Sequence, residues 1–515
     1  LDGGGDTGYS KTDFMTKLRY SFSESHALEF KYSMTDEISN ETYLGLTDSD
    51  YNDNPLRRYR ATALDEMDAD HSQVTLSYAT KLADNINLAI VGYSNDFARN
   101  WYKLNKVNGQ KLSTITKSDT DGWNDFYLLM NTQESADDAY RIKANNREYY
   151  SSGIQAVLNV RTESGHDIQA GLRIHNDEMD RFQWEDRYKM AGGKLVMTTQ
   201  AVKGSDSNRI DSAEASALYL EDRFSVGELT VTAGARYEEI TVMRDDWGKT
   251  DSDRSETPSM REHTMSVVVP GFSVEYPLSD TQTVSLGIHK GFAPPGPGTS
   301  GVTDEQVDPE TSLNTEFGFK TNEGINSMEF TYFMNSYDNL LGADTAASGG
   351  GTDALYNGGA VDISGFELYL RRILLDNGSV QMPVELAYTS TNSEFKESFD
   401  GFWGDVSKGD ELPYLPKTMM SLNVGLNVDK VSTNISVKHT SKMRTTAGSG
   451  KISGTNATDA QVLVDLGVRY ALQDNISLSV GVKNLMDDDG IAARRPYGAR
   501  PTMPRSLSLG VDYTF

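Results

Sequence analysis

The sequence predicts an all-β chain, folded as a transmembrane antiparallel β-barrel of a bacterial outer membrane. Three observations lead there. Apolar residues recur with a period of two along most of the 515 residues. The connections between these runs alternate between very short and long. No stretch approaches the ~20 consecutive apolar residues of a membrane helix, as a wall that alternates lipid-facing and lumen-facing residues requires.

The elements follow in order. Phe14, Thr16, Leu18, Tyr20 and Phe22 share one face of the first strand, and Asp13, Lys17 and Arg19 share the other. After Ser23-Glu24-Ser25, the face Leu28, Phe30, Tyr32 and Met34 opposes Glu29 and Lys31. The same alternation marks Val74–Tyr78, Leu229–Tyr237, Val284–Ile288, Leu422–Leu426, Val462–Tyr470, Ile476–Val482 and, most regularly, Leu507–Phe515. It yields about nineteen strands, near 12–22, 26–36, 71–81, 86–97, 147–161, 166–178, 213–224, 228–242, 262–276, 281–292, 312–321, 325–337, 361–374, 379–392, 417–428, 431–444, 459–471, 475–487 and 504–515.

The short connections carry turn residues such as Asp376-Asn377-Gly378 and Glu323-Gly324. The long ones, near 37–70, 98–146, 179–212, 243–261, 293–311, 338–360, 393–416, 445–458 and 488–503, are rich in Asp, Gly, Ser, Asn and Pro. Long loops confined to one end are the mark of an outer-membrane barrel, with tight periplasmic turns and extended extracellular loops. The chain end then falls on the periplasmic side.

Composition narrows the function classes. The 26 tyrosines suit interfacial girdles. With no cysteine, a disulfide framework, a thiolate metal site and a cysteine nucleophile are excluded. A net charge of −27 excludes a basic nucleic-acid footprint. The seven histidines are scattered without HExxH spacing, so neither a metal site nor a cofactor site is expected. Ala447-Gly448-Ser449-Gly450-Lys451 resembles a phosphate loop but lacks its first glycine and its final Ser/Thr, and it reads as a loop tip. Asp487-Asp488-Asp489 has ligands of the type Ca²⁺ takes, and a solvated loop start is the favoured reading.

Several segments together resemble the TonB-dependent outer-membrane receptors, closest to their ferric-citrate-receptor-like branch. They are Glu41–Thr47 with Asn54–Tyr59, then His289–Pro295, Pro309-Glu310 with Asn314 and Glu316, Gly365-Phe366-Glu367, Leu412–Pro416, Asn484-Leu485 with Asp487, and Gly498, Arg500-Pro501 and Pro504-Arg505. The resemblance implies a 22-stranded barrel when complete, an N-terminal plug and a TonB-binding segment. On that footing residues 1–515 are the barrel, with the plug and about three first strands missing, either from the sequence given or supplied by a separate chain.

The function so implied is import of a ferric chelate, of siderophore or ferric citrate type. The partners are the TonB complex, through the plug, and outer-membrane lipid and lipopolysaccharide. The alternatives are a passive channel or surface-binding barrel and, less favoured, an outer-membrane hydrolase; no catalytic residues are assigned. The candidate ligand contacts are Arg57, Arg58 and Arg60 in the first long loop, Arg494 and Arg495 in the last, and Trp101, Trp123 and Tyr127 between them. Guanidinium pairs bidentately with carboxylate, and aromatic rings can close over a ligand. Lys17, Arg19, Glu29, Lys31, Arg236 and Glu238 are expected to line the lumen as a salt-bridged interior.

Overall fold

A computed structural model of the chain describes residues 5–118, 126–294, 309–338, 340–343, 355–357, 359–401, 404–452 and 454–514. Nineteen long strands follow one another through it. They are β1 Tyr9–Ser23, β2 His26–Ser39, β3 Glu66–Ala83, β4 Ile86–Val107, β5 Tyr140–Arg161, β6 Asp167–Ala191, β7 Ser207–Val226, β8 Leu229–Asp246, β9 Ser259–Ser279 and β10 Gln282–Ala293. The rest are β11 Glu310–Glu323, β12 Asn326–Tyr337, β13 Val361–Asp376, β14 Val380–Phe395, β15 Thr418–Val428, β16 Val431–Thr440, β17 Gln461–Gln473, β18 Ile476–Lys483 and β19 Ser506–Tyr513. Each pairs antiparallel with its neighbours in sequence. Among the described residues β1 and β19 share no ladder, so each pairs along one edge.

The tight turns gather at one end and the long loops at the other. Asn377 shows why these turns are tight: its Oδ1 accepts the amides of Ser379 and Val380 at 3.1 and 2.9 Å, an Asx turn that reverses the chain locally. Leu172, Ile174, Leu218, Leu220, Val268, Phe272, Phe317 and Val480 are large, apolar and exposed on the outward face, forming the lipid belt. The inward face carries paired charges as expected: Lys17 meets Glu29 at 3.0 Å and Arg236 meets Glu238 at 2.7 Å.

Strand ends at the loop side are where the sequence misleads. β4 runs to Val107 rather than 97, β5 begins at Tyr140 rather than 147, and β6 continues to Ala191 rather than 178. Above the bilayer no lipid demands an apolar face, so the alternation fades while the backbone ladder continues. Stretches such as 179–187 therefore read as loop. The last strand is described to Tyr513, and Phe515 lies outside the described residues.

Candidate functional site

The site is built from two parts: a cap of loops and the inner wall beneath it. The cap has its own apolar core, including Tyr43, Leu44, Leu46, Tyr51 and Tyr59 from the first long loop. Leu104, Val107, Tyr140, Ile142, Tyr188 and Met190 come from the outer ends of β4–β6, and Ile491, Tyr497 and Ala499 from the last loop. The first and last loops pair through their backbones, with Leu46 and Ala499 exchanging amide-to-carbonyl bonds of 2.8 Å each. Gly45 makes this approach possible, since a Cβ there would lie 2.6 Å from the Ala499 carbonyl oxygen. The segments Glu41–Thr47 and Gly498–Arg500, far apart in sequence, thus meet in space.

Arginines staple this cap. Arg58 is buried and donates to the carbonyls of Asn40, Thr62 and Asp65 at 3.1, 2.7 and 3.0 Å, and also to that of Asp6. Arg57 bridges Asp50 and Asp53, the latter at 2.7 Å. Arg60 reaches the Gly193 carbonyl at 3.3 Å, tying the first loop to the β6–β7 hairpin. Arg494 binds Asp48 and the Ala457 carbonyl, the latter at 2.6 Å. Arg495 stacks 4.4 Å from the Tyr414 ring centroid and donates to the Thr445 carbonyl at 3.0 Å. Trp101 points inward beneath the cap, edge-on to Tyr43 with centroids 4.3 Å apart. Trp123 lies outside the described residues. Tyr127 sits in the helix Phe126–Asn131, of which only the backbone is described at that position. The five loop arginines are spread over two loops and each is engaged within the protein.

Asp65 anchors the cap to the wall. Its carboxylate is buried and accepts the Thr42 hydroxyl and the Leu104 amide, each at 2.7 Å. Burial pushes this carboxyl up to about 7, against the opposing pull of those hydrogen bonds and of the Arg58 and Lys103 charges.

Below the cap, odd-numbered residues of β4–β7 face the lumen; the even-numbered Asp96, Glu148, Leu172 and Leu218 on the same strands are exposed outward. Register then produces an unexpected row. Arg99 lies opposite Arg147, Arg147 opposite Arg181, and Arg181 opposite Arg209. Four guanidiniums stand side by side on four adjacent strands. The Tyr149 hydroxyl accepts from Arg99 and from Arg147, both at 3.3 Å. Arg209 pairs at 3.0 Å with Asp211, a fully buried carboxylate that Arg244 also binds.

Six residues further toward the membrane on β4 and β6, the Tyr93 hydroxyl shares a 2.6 Å hydrogen bond with His175 Nδ1 and accepts from Arg173 at 2.9 Å. Gly153 leaves room for that ring, since a Cβ there would lie 2.4 Å from the Tyr93 hydroxyl. One residue each on four strands was not visible as a group in the sequence. The signal was present in principle: each arginine follows the lumen-facing parity of its strand, but only the register aligns them.

A sequence model of the TonB-dependent receptor-like β-barrel family matches residues 3–485. Solved structures of the same fold include the unliganded ferric citrate transporter FecA, 20% identical, covering 98% of this chain and 70% of that one with a TM-score of 0.75. The siderophore receptor PiuA from Acinetobacter baumannii is 14% identical over 98% of this chain and 74% of its own, with a TM-score of 0.76. The ferric-catecholate import receptor Fiu from E. coli K12 is 14% identical over 100% of this chain and 76% of its own, with a TM-score of 0.71.

Proposed function

Because this chain belongs to the TonB-dependent receptor-like β-barrel family and its place is the bacterial outer membrane, we propose that it forms the wall and outer gate of a transporter that imports a ferric chelate with energy relayed by the TonB complex. The observation that carries the reading is the packed cap over a charge-lined inner wall. A passive pore keeps its outer mouth open. Here the first and last loops and the outer ends of β4–β6 pack into one apolar cluster at the loop end of the wall, and in this reading that cluster gates passage through a conformational step. The family transports and does not catalyse, which sets the hydrolase reading aside.

In this reading a plug supplies the moving part. Three further strands join β19 to β1, since an unpaired strand edge in lipid is costly. The loop arginines Arg57, Arg58, Arg60, Arg494 and Arg495 keep the cap folded, and the ligand meets the wall below them. The names of the similar structures, a ferric citrate transporter and receptors for siderophores and ferric catecholates, support iron chelates as the cargo class. The test is uptake of radioactive iron, presented as a panel of chelates, by cells producing the full-length protein. Uptake of at least one chelate, abolished by deleting TonB, is expected. Uptake that persists without TonB, or none with any chelate, overturns the reading.

A further inference from the structure

We propose that imported cargo travels to the periplasm down the lumenal face of β8–β11, through a hollow of about 580 Å³ with a floor of bare glycine. This rests on the reading of the chain as a chelate importer and adds the side of the barrel along which passage occurs.

The hollow lies below the arginine row, toward the turn that joins β9 to β10. Its floor is Gly234, Gly271 and Gly287, with Glu221, Arg236, His289 and Glu316 around it. Ladder register sets these side by side. Glu221 opposes Gly234, Gly234 opposes Gly271, Gly271 opposes His289, and Gly287 opposes Glu316. All have the lumen-facing parity of their strands, since the alternate residues Leu220, Phe272, Leu286, Ile288 and Phe317 are exposed on the lipid side.

Two of these glycines answer no need of the wall itself. A glycine inside a strand marks a bulge, a sharp bend, or a place where a ligand or another backbone comes close. The ladders run through Gly271 and Gly287 without a register shift, and neither has a positive φ. Beyond the chain neighbours, a Cβ at Gly271 would meet nothing nearer than 3.5 Å, and one at Gly287 nothing nearer than 3.9 Å. Alanine fits at both and holds a strand better. What glycine preserves there is open lumen.

The tall wall treats its glycines the other way. Tyr93 fills the place of a side chain at Gly153, and the Tyr219 ring does so at Gly171. Tyr219 borders the hollow, yet its ring lies against Gly171 of β6 and leaves the floor bare.

Charge favours a transient occupant. A route must hold its cargo loosely enough to release it, and the glycine floor carries no charge. At the rim Arg236 is already answered by Glu238 at 2.7 Å, and among the described residues no ion pair engages Glu221 or Glu316. A polypeptide lodged there would have to supply a partner for each carboxylate, because burying an unpaired charge is costly. A hydrated cargo passing over them leaves both in water. The volume suits a small molecule, for which sites run on the order of 300–1,000 Å³. Small residues continue the track toward the periplasm, with Ser273 opposite Gly287 and Ser285 opposite Gly318.

The experiment separates binding from passage in the full-length protein. Cells producing it are given radioactive iron as ferric citrate, a ferric trihydroxamate or a ferric tris-catecholate. Binding is read in a strain lacking TonB, and uptake in a strain that has it. Gly271→Trp/Gly287→Trp puts two indoles in the hollow, and uptake is expected to fall about tenfold with binding unchanged. Gly271→Ala/Gly287→Ala is expected to keep uptake within about twofold, as is Gln155→Trp, which puts an indole on the lumenal face of β5. Heat-modifiable mobility on gels verifies that each barrel is folded. Where the tryptophan pair does not fold, Gly271→Trp alone carries the test, with a several-fold fall expected.

Unchanged uptake in the tryptophan variant, or an equal loss in Gln155→Trp or in the alanine pair, overturns the route while leaving chelate import standing. Loss of binding together with uptake, or new sensitivity to a large antibiotic that the outer membrane excludes, makes the hollow a seat for the plug and also overturns it. If the unaltered protein takes up none of the three chelates, the import reading itself falls and the route falls with it.

Discussion

The walls β4–β7 and β15–β19 cross the same bilayer with very different lengths of chain. The first uses strands of 22, 22, 25 and 20 residues. The second uses 11, 10, 13, 8 and 8. A tilted strand needs about 9–11 residues to cross, so the second wall does little more than span. The first rises well beyond the lipid, and its excess carries the arginine row and six of the nineteen buried residues of the cap core. Ligand contacts built on extended strands are held more precisely than contacts built on loops. The tall wall carries the arginine row, and Ile491, Tyr497 and Ala499 of the last loop pack beside its outer ends in the cap core.

The sharpest way to break this division is to release the cap from the wall. Arg58→Ala removes donors to the carbonyls of Asn40, Thr62 and Asp65 and leaves the buried Asp65 without its nearest guanidinium. Removing one partner of a buried charge network costs roughly 3–5 kcal/mol. Limited proteolysis should cut within 40–65 in the variant and not in the parent, with β1–β19 still protected. If the loop stays resistant, the staple role assigned to Arg58 is wrong.

A second substitution pair sharpens where the bilayer ends on the tall wall. Leu220 and Ser212 both face outward on β7, eight residues apart. Leu220→Arg should cost about 2–4 kcal/mol in a lipid refolding assay, and Ser212→Arg about 0–1 kcal/mol. Equal costs would mean that the upper part of β7 is still in lipid. Within the cap, Tyr59→Phe comes next. The Tyr59 hydroxyl accepts the Thr47 amide at 2.9 Å and donates to Asp50 at 2.8 Å, both buried. Its loss should lower the cap's opening free energy by about 1–3 kcal/mol, read by amide exchange at Thr47.

The two regions also differ in how far the sequence disclosed them. Membrane crossing was legible because lipid outside and water inside force an alternation, as in Leu507, Leu509 and Val511 of β19. All nineteen strands follow from it. The upper wall was not, because residues such as Met179 through Arg187 lose that contrast and are held by ladder bonds and cap packing instead. The candidate arginines of the loops were found by composition, and Arg58 and Arg494 proved to be tied to backbone carbonyls. The row Arg99, Arg147, Arg181 and Arg209 is spread over 110 residues of chain. It exists only through register, which no single segment encodes.

The smallest effect concerns the joint between the two regions. Asp65 holds the cap to β4 through Thr42 and the Leu104 amide, and its carboxyl is raised by burial to about 7 in the folded protein, from an ordinary value near 3.8. A raised acid binds its proton in the folded state first. The folded cap therefore gains stability as pH falls through about 7, and that gain is complete once the pH is below the unfolded value. The slope from one group is at most about 1.4 kcal/mol per pH unit.

Amide exchange at Leu104 should slow, after correction for intrinsic rates, as pH is lowered from 8 to 6. Asp65→Asn, which resembles the protonated form, should remove that dependence while keeping the Leu104 bond. A pH dependence that survives in Asp65→Asn would place the titrating group elsewhere. It would leave the joint between cap and wall to packing alone, with Tyr43, Leu104 and Tyr497 as the contacts that hold it.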